Sequence, residues 1–155
     1  MARWLDDGEQ QTWRAYLWST QLLHEALDRQ MQQESGIPQS YYVMLAMLSE
    51  APGRSRTMTE LARVTRGSPS KVSHAVRKLE ESGWVRRHKH PDDARTTIAT
   101  LTDEGYAVVV KAAPGHVEAV RENLFDLLTP EQTEQLGAIC RAMLARLDPD
   151  GPSFR

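Results

Sequence analysis

The sequence predicts a mainly α-helical fold that contains one small β-hairpin. Apolar residues recur at helical spacing in six segments of the chain. A stretch rich in β-branched residues, 96–101, follows the segment Trp84–Arg87 across a polar tip at 88–93, which is the pattern of two short strands and a turn. With 155 residues and 40% hydrophobic content, the chain is long enough for one compact domain over residues 1–155.

The helix that begins near Ser68 is the centre of the predicted fold. Ser68 supplies a capping hydroxyl, and Pro69 suits the first helical position because its missing N–H would have no helical partner there. An apolar stripe is expected to pack on one side: Val72, Ala75, Val76 and Leu79. Polar side chains cover the other side and its flanks: Ser70, Lys71, Ser73, His74, Arg77, Lys78 and Glu81. Gly83 ends the helix.

A second helix precedes it at the spacing of a helix-turn-helix. Thr57 and Glu60 form a Thr-x-x-Glu start signal, and Arg66-Gly67 supplies a glycine turn. An isolated amphipathic helix is most often a solvated surface element, but helix, tight turn, helix and basic hairpin in succession indicate a winged helix-turn-helix. The helix of 68–82 is then expected in a DNA major groove, where Arg and Lys meet guanine edges, with the hairpin as the wing.

These segments resemble the MarR family of bacterial transcriptional regulators. The matches in and beside the helices are Glu60-Leu61-Ala62, Val72-Ser73, Leu79-Glu80 and Gly83-Trp84-Val85. The most specific match lies in the wing, where Asp93-Ala94-Arg95 is followed by Leu101-Thr102-Asp103-Glu104-Gly105, similar to the family's signature of Asp-x-Arg, then Leu-Thr and a glycine. Ala99 departs from the family, which usually carries a larger aliphatic residue on the returning strand.

The resemblance implies a winged helix-turn-helix with N- and C-terminal dimerisation helices, acting as a ligand-responsive homodimeric repressor. The DNA-binding lobe would cover 38–105, and the dimerisation helices 10–34 and 106–147. The expected partner is double-stranded DNA, in an approximately palindromic operator with half-sites about 10 base pairs apart.

Each predicted DNA-binding residue belongs to the helix of 68–82 or to the wing. The major-groove residues are Ser68, Ser70, Lys71, Ser73, His74 and Arg77. The wing residues, directed at the minor groove, are Arg86, Arg87, Lys89, His90 and Arg95. Asp93 is expected to stabilise the wing by orienting the Arg95 guanidinium.

Positive charge is concentrated in the same region. Residues 54–95 hold 11 Lys and Arg against 5 Asp and Glu, a net charge of +6, whereas the rest of the chain holds 8 against 16, a net charge of −8. A localised cationic surface is the electrostatic footprint of DNA binding. The alternative is a winged-helix module that binds protein instead of DNA, which would have no need of a cationic face.

The flanking segments predict four further helices. A long first helix is expected over 10–33 and a core helix over 39–49, followed by a loop at 51–56 whose two arginines lie either beside DNA phosphates or in solvent. Pro114-Gly115 is expected to kink or restart the helix of 102–128. A cap at Thr129-Pro130 then opens a last helix to about residue 147.

The C-terminal helices carry more apolar surface than one small core covers. These residues are Leu124, Phe125, Leu127, Leu128, Leu136, Ile139, Cys140, Met143, Leu144 and Leu147. Burial of this surface in a homodimer agrees with the family resemblance.

Four aromatic residues are candidates for an effector site: Trp13, Tyr16, Tyr41 and Tyr42. MarR family members commonly bind small aromatic or phenolic acids in a cleft between the dimerisation helices and the winged helix, so the resemblance implies such an effector here. The alternative is that these residues belong to the core and the dimer interface.

Other functions are not expected. The sequence contains no Gly-x-Ser-x-Gly turn, phosphate loop or glycine-rich dinucleotide turn, which argues against an enzyme and against a cofactor. His88 and His90 lack a neighbouring cysteine or convergent carboxylates, so no metal site is expected. Cys140 lies on an apolar stripe and is expected to be a buried structural thiol rather than a redox sensor. Without a signal-peptide pattern or an apolar run of roughly 20 residues, a cytoplasmic protein and no membrane partner are expected.

Overall fold

The structure of the protein is a computed structural model that describes residues 3–151. Within them lie six α-helices: α1 Asp7–Ser35, α2 Gln39–Ser49, α3 Met58–Thr65, α4 Pro69–Glu81, α5 Asp103–Asn123 and α6 Pro130–Leu147. Three strands, β1 Ser55–Thr57, β2 Val85–His90 and β3 Asp93–Leu101, form an antiparallel sheet in the order β1-β3-β2. This confirms the predicted fold class, a mainly helical winged helix-turn-helix flanked by long helices.

Hydroxyl side chains cap the starts of α3, α4, α5 and α6. The Thr57 hydroxyl accepts a hydrogen bond from the Glu60 N–H at 3.1 Å, and the Glu60 carboxylate accepts one from the Thr57 N–H at 2.9 Å, so α3 starts with the predicted capping box. The hydroxyls of Ser68, Thr102 and Thr129 cap α4, α5 and α6. The predicted starts of these helices are therefore confirmed.

The first helix is longer than predicted. It begins at Asp7, because Asp6 and Glu9 form a capping box of their own, and it ends at Ser35 before a left-handed glycine, Gly36. The second helix has the predicted bounds, 39–49. Together these two helices form the N-terminal third of the described chain.

The strand β1 overlaps the end of the segment 51–56 that was predicted as a loop. Ser55 pairs with Thr100 and Thr57 with Ile98, and the Ser55 and Thr100 hydroxyl oxygens lie 2.8 Å apart. Three polar residues have no detectable periodicity, and the strand exists because β3, about 45 residues later, offers an edge that can pair.

Arg54, just before β1, and Arg56, within it, make contacts inside the chain that the sequence analysis did not predict. The Arg54 guanidinium lies 3.8 Å from the Tyr106 ring centroid and 3.0 Å from the Asp103 carboxylate. The Arg56 Nε donates a hydrogen bond to the Met47 carbonyl at 2.9 Å. These contacts attach the strand to the start of α5 and the end of α2.

The helix α5 runs through Pro114 as one element, so the predicted restart at Pro114-Gly115 is wrong. Pro114 lies on the exposed side of the helix. The carbonyl four residues earlier, which has no N–H partner at Pro114, can therefore bond to water. Gly115 faces α1, and its missing side chain leaves room for the end of the Glu34 side chain. The helix ends at Asn123 instead of Leu128, and a 3₁₀ turn follows over Phe125–Leu127.

The core lies where α3, α4 and the sheet pack against α1, α2 and α5. Its fully buried side chains include Met31, Leu45, Leu48, Leu61, Val72, Val76 and Leu79. Ala99 of β3 is also fully buried, so the small residue at this departure from the family packs within the core.

Within the described residues, α6 buries no side chain. Its apolar residues are exposed in the single chain: Ile139, Met143, Leu144 and Leu147. Cys140 is exposed as well, which contradicts the predicted buried thiol for one chain alone. Between residues 3 and 151, no helix is both long enough and apolar enough to cross a membrane.

Candidate nucleic-acid interface

The helix α4 has one buried side and one exposed polar side. Val72, Ala75, Val76 and Leu79 are at most 4% exposed. The predicted major-groove residues lie on the opposite, exposed surface: Ser68, Ser70, Lys71, Ser73, His74 and Arg77. The buried stripe sets how the helix is rotated, so these polar groups face away from the core.

Charged contacts organise the exposed side of α4. The Arg77 Nη2 donates to the His74 Nδ1 at 3.2 Å, and the Arg77 Nε lies 3.9 Å from the Glu81 carboxylate. The Lys78 ammonium lies 2.9 Å from Glu81, and this hydrogen bond is the main reason that the Glu81 pKa is below its ordinary value. Glu81 therefore holds Lys78 closely and leaves Arg77 a longer contact that DNA can replace.

The wing is a hairpin with an acidic residue at its tip. The Asp93 carboxylate accepts hydrogen bonds from the Thr96 hydroxyl at 2.6 Å and the Arg95 N–H at 3.0 Å, which lower the Asp93 pKa. The predicted contact with the Arg95 guanidinium is wrong, because Asp93 bonds to the Arg95 backbone. Asp93 thus stabilises the turn, while the Arg95 side chain stays exposed.

The other wing cations differ in how freely they can reach a ligand. Arg86 is exposed, and the Lys89 ammonium donates to the Thr97 hydroxyl at 3.2 Å. His90 is half-buried, and its Nδ1 accepts a hydrogen bond from the Asp92 N–H at 3.2 Å. Arg86 and Lys89 are therefore the β2 cations best placed to meet a phosphate.

Arg87 is bound to α4, a contact that the sequence analysis missed. Its Nε and Nη2 donate to the Glu80 carboxylate at 3.0 and 2.7 Å, and its N–H donates to the same carboxylate at 3.0 Å. These bonds, the side-chain ones first, lower the Glu80 pKa. Arg87 therefore joins the wing to α4 instead of standing free as a DNA contact.

A groove of about 360 Å³ lies between α3, the start of α4 and the wing. Hydroxyl groups that the sequence analysis did not select line it: Thr57, Thr59, Thr96 and Thr97. Three predicted residues line the same groove: Ser73, Arg95 and the Glu80-bound Arg87. The Thr57 capping signal was detectable in the sequence, but its position beside the wing depends on the pairing of β1 with β3.

The four candidate effector residues do not form one site. Tyr41 lines a cleft of about 630 Å³ between α1, α2 and α4, together with His24, Lys71 and His74. Trp13 and Tyr16 line a different depression of about 430 Å³ with Ile139 and Met143 of α6. Tyr42 is buried in the core, so its selection as a cleft residue is wrong.

The Tyr42 ring packs on His116 of α5, with ring centroids 4.8 Å apart. The His116 Nδ1 has no hydrogen-bond partner among the described residues, and burial lowers the His116 pKa and is the main cause that raises the Tyr42 pKa. The imidazole therefore packs on Tyr42 where α5 meets α2, in a place that disfavours its charged form.

Acidification should destabilise the protein through His116. Because its pKa is lower in the folded than in the unfolded state, the unfolded chain binds more protons, and the contribution of the neutral ring should be lost as the pH falls below about 6.5. Urea unfolding at a series of pH values should show a smaller decline for His116→Phe than for the wild type. His24→Phe, at an exposed histidine, is the control, and equal declines in wild type and His116→Phe would refute the prediction.

The fold and this interface define a winged helix-turn-helix protein. A MarR family model matches residues 35–96. Rv2887, a HTH-type transcriptional repressor of Mycobacterium tuberculosis, is 34% identical over 115 residues, which cover 74% of this chain and 78% of the relative.

Two solved structures from Streptomyces coelicolor are similar over almost the whole chain. Sco3205, a MarR family transcriptional regulator in complex with DNA, is 49% identical with a TM-score of 0.92, and the match covers 96% of this chain and 93% of Sco3205. AbsC, another MarR family transcriptional regulator, is 36% identical with a TM-score of 0.88, over 94% of this chain and 98% of AbsC. The chain belongs to the MarR family, a family of transcriptional regulators and not of enzymes.

Proposed function

We propose that this protein is a DNA-binding transcriptional repressor that places α4 in the major groove and the wing at the minor groove. The observation that carries the proposal is the two-sided α4, whose buried stripe fixes hydroxyl, imidazole and guanidinium groups beside a basic wing. The DNA complex of Sco3205, at 49% identity, supports the same partner for this chain. A regulator of this kind acts in the cytoplasm, where bacterial DNA lies.

The working form is a homodimer. The exposed apolar residues of α6 and the depression that holds Trp13 and Tyr16 lie on the same side of the molecule, and a second copy would remove this surface from water. Two-fold symmetry would present two copies of α4 to successive major grooves. The operator is therefore an approximate palindrome with half-sites about 10 base pairs apart.

The cleft beside Tyr41 is the proposed effector site. It is largely apolar but includes Lys71, His74 and His24, which suit the carboxylate or hydroxyl of a small aromatic or phenolic acid. Lys71 and His74 also belong to the proposed DNA-binding side of α4. A bound effector would therefore engage groups that DNA needs, and DNA and effector would weaken each other's binding.

Selection of genomic DNA fragments by the purified protein tests the proposed function. Enrichment of fragments that share a palindrome would support it, and the sequence of that palindrome would supply the operator for the experiments below. Recovery of no preferred sequence would instead favour the winged-helix module that binds protein.

Replacing Arg77 should cost specificity. Arg77 lies where it can reach base edges, so Arg77→Ala should weaken operator binding by about 1 to 3 kcal/mol and relax the preference at particular base pairs. Arg95→Ala should weaken binding to most sequences together, because a wing arginine is attracted by the minor-groove potential. Titration against single-base operator variants measures both effects.

Arg121→Ala is the control for Arg77→Ala. It removes one positive charge from α5, where Arg121 pairs with Asp126 at 2.7 Å, and leaves the contacts of Arg77 on α4 intact. Its base preferences should equal those of the wild type. Identical specificity profiles for Arg77→Ala and Arg95→Ala would contradict the division of roles between helix and wing.

A further inference from the structure

A tight turn follows α6 and points back toward the helix-turn-helix. The Gly151 N–H donates to the Asp148 carbonyl at 2.9 Å, and Pro149 occupies the second position, as type I turns favour. A Cβ on Gly151 would collide with the Asp148 carboxylate, so glycine is required for this side chain to fold over the turn. The sequence thus ends α6 and places one carboxylate in a defined position.

Two arginines of the helix-turn-helix bind to this turn. The Arg66 Nη1 lies 3.2 Å from the Asp148 carboxylate, and the Arg63 Nη1 donates to the Asp150 carbonyl at 3.1 Å. The Asp148 side chain is only 26% exposed. We call the turn Asp148–Gly151 with Arg63 and Arg66 the clasp.

The clasp joins two parts of the molecule that have different tasks. Arg63 lies in the last turn of α3, and Arg66 follows it in a left-handed conformation (φ 54°), two residues before the Ser68 cap of α4. The turn on the other side of this contact follows α6. This helix buries no side chain among the described residues and carries the proposed dimer surface. A contact between them restricts how α4 is oriented relative to the partner protomer.

We propose that Asp148 is a positioning residue that fixes α4 against the dimerisation helix through Arg66 and thereby sets the half-site spacing of the operator. This inference rests on the proposed dimeric, DNA-binding function. The competing role is that of an internal counter-ion. In that role the Asp148 carboxylate would pair with Arg66 and so prevent Arg66 from binding DNA phosphates.

Operators of altered spacing distinguish these roles. One inserted base pair moves a half-site by about 3.4 Å along the axis and rotates it by about 35°. The ratio of dissociation constants for the inserted and the native operator measures how strictly the protein fixes the spacing. Asp148→Ala should lower this ratio by about threefold to tenfold, since an exposed ion pair contributes up to about fivefold and the dimer contains two.

Asp150→Ala is the matched control. It removes the same charge two residues away, but Asp150 contacts Arg63 through its backbone carbonyl, so the spacing ratio should not change. In an Arg66→Ala background, Asp148→Ala should have no further effect on the ratio, because the two residues act as a pair. Melting temperatures of all variants show that they remain folded.

Three results would overturn the inference. An unchanged ratio in Asp148→Ala would show that the clasp does not set spacing, and an equal gain in affinity for both operators would assign Asp148 the counter-ion role. A further drop of the ratio in the Arg66→Ala background would show that Asp148 acts without Arg66. The affinity of the wild type for its operator tests the proposed function separately, so failure of that function is visible without any variant.

Discussion

Raising the salt concentration from 50 to 200 mM should weaken operator binding by about 10³- to 10⁵-fold, as expected when a protein neutralises about 6 to 10 phosphates. The structure supplies cations for these contacts on the exposed sides of α4 and the wing: Lys71, Arg77, Arg86, Lys89 and Arg95. The proposed dimer doubles this set. Arg87 does not belong to it, because the Glu80 carboxylate holds its guanidinium.

Single substitutions make the salt experiment specific to the interface. Arg86→Ala should reduce the slope of log affinity against log salt by about 2, one contact in each protomer. Arg121→Ala also removes one positive charge, but from α5, where Arg121 pairs with Asp126 at 2.7 Å, and should leave the slope unchanged. A flat dependence for the wild type would instead support the module that binds protein.

The sequence predicted the starts of α3, α4 and α6 because each of these starts is encoded within four consecutive residues. Thr57, Ser68 and Thr129 each provide a hydroxyl whose partner is the N–H three positions later, so no distant residue is needed. The strand β1 is different, since its pairing depends on Thr100 and Ile98 of β3. Three polar residues carry no signal until the partner strand is in place.

The candidate DNA-binding side chains also differ in whether neighbouring residues alone determine their positions. Helical spacing was enough to place Arg77 and His74 on the exposed side of α4. It did not predict that Arg87 is held by Glu80, because this contact depends on how the wing folds back onto the helix. Charge and spacing identified the cationic surface, but the packing decides which cations remain available.

Tyr41 and Tyr42 illustrate why the sequence could not assign the candidate effector residues to a cleft. Adjacent residues of a helix point about 100° apart, so only one of the two can face a cleft on a given side. The apolar composition of α2 does not indicate which one. In the structure Tyr42 packs on His116 within the core, and Tyr41 lines the cleft beside α4.

A double substitution on α6, Ile139→Asp with Met143→Asp, should abolish the dimer and reduce operator affinity by about 10²- to 10⁴-fold, the gain expected from linking two binding sites. Ile139 is 57% exposed and Met143 is 37% exposed in the single chain, so carboxylates at these positions leave the core of the protomer unchanged. In the dimer the same carboxylates would be buried without partners, which is strongly unfavourable.

Analytical ultracentrifugation, operator titration and circular dichroism together test this prediction. The double variant should sediment as a helical monomer, because the fully buried residues lie in α1, α2, α3, α4 and β3 rather than in α6. Gln132→Asp with Gln135→Asp adds the same charge to the same helix at polar, exposed positions and should remain dimeric. A dimeric Ile139→Asp, Met143→Asp variant with full operator affinity would show that the two protomers meet through a surface other than the apolar side of α6.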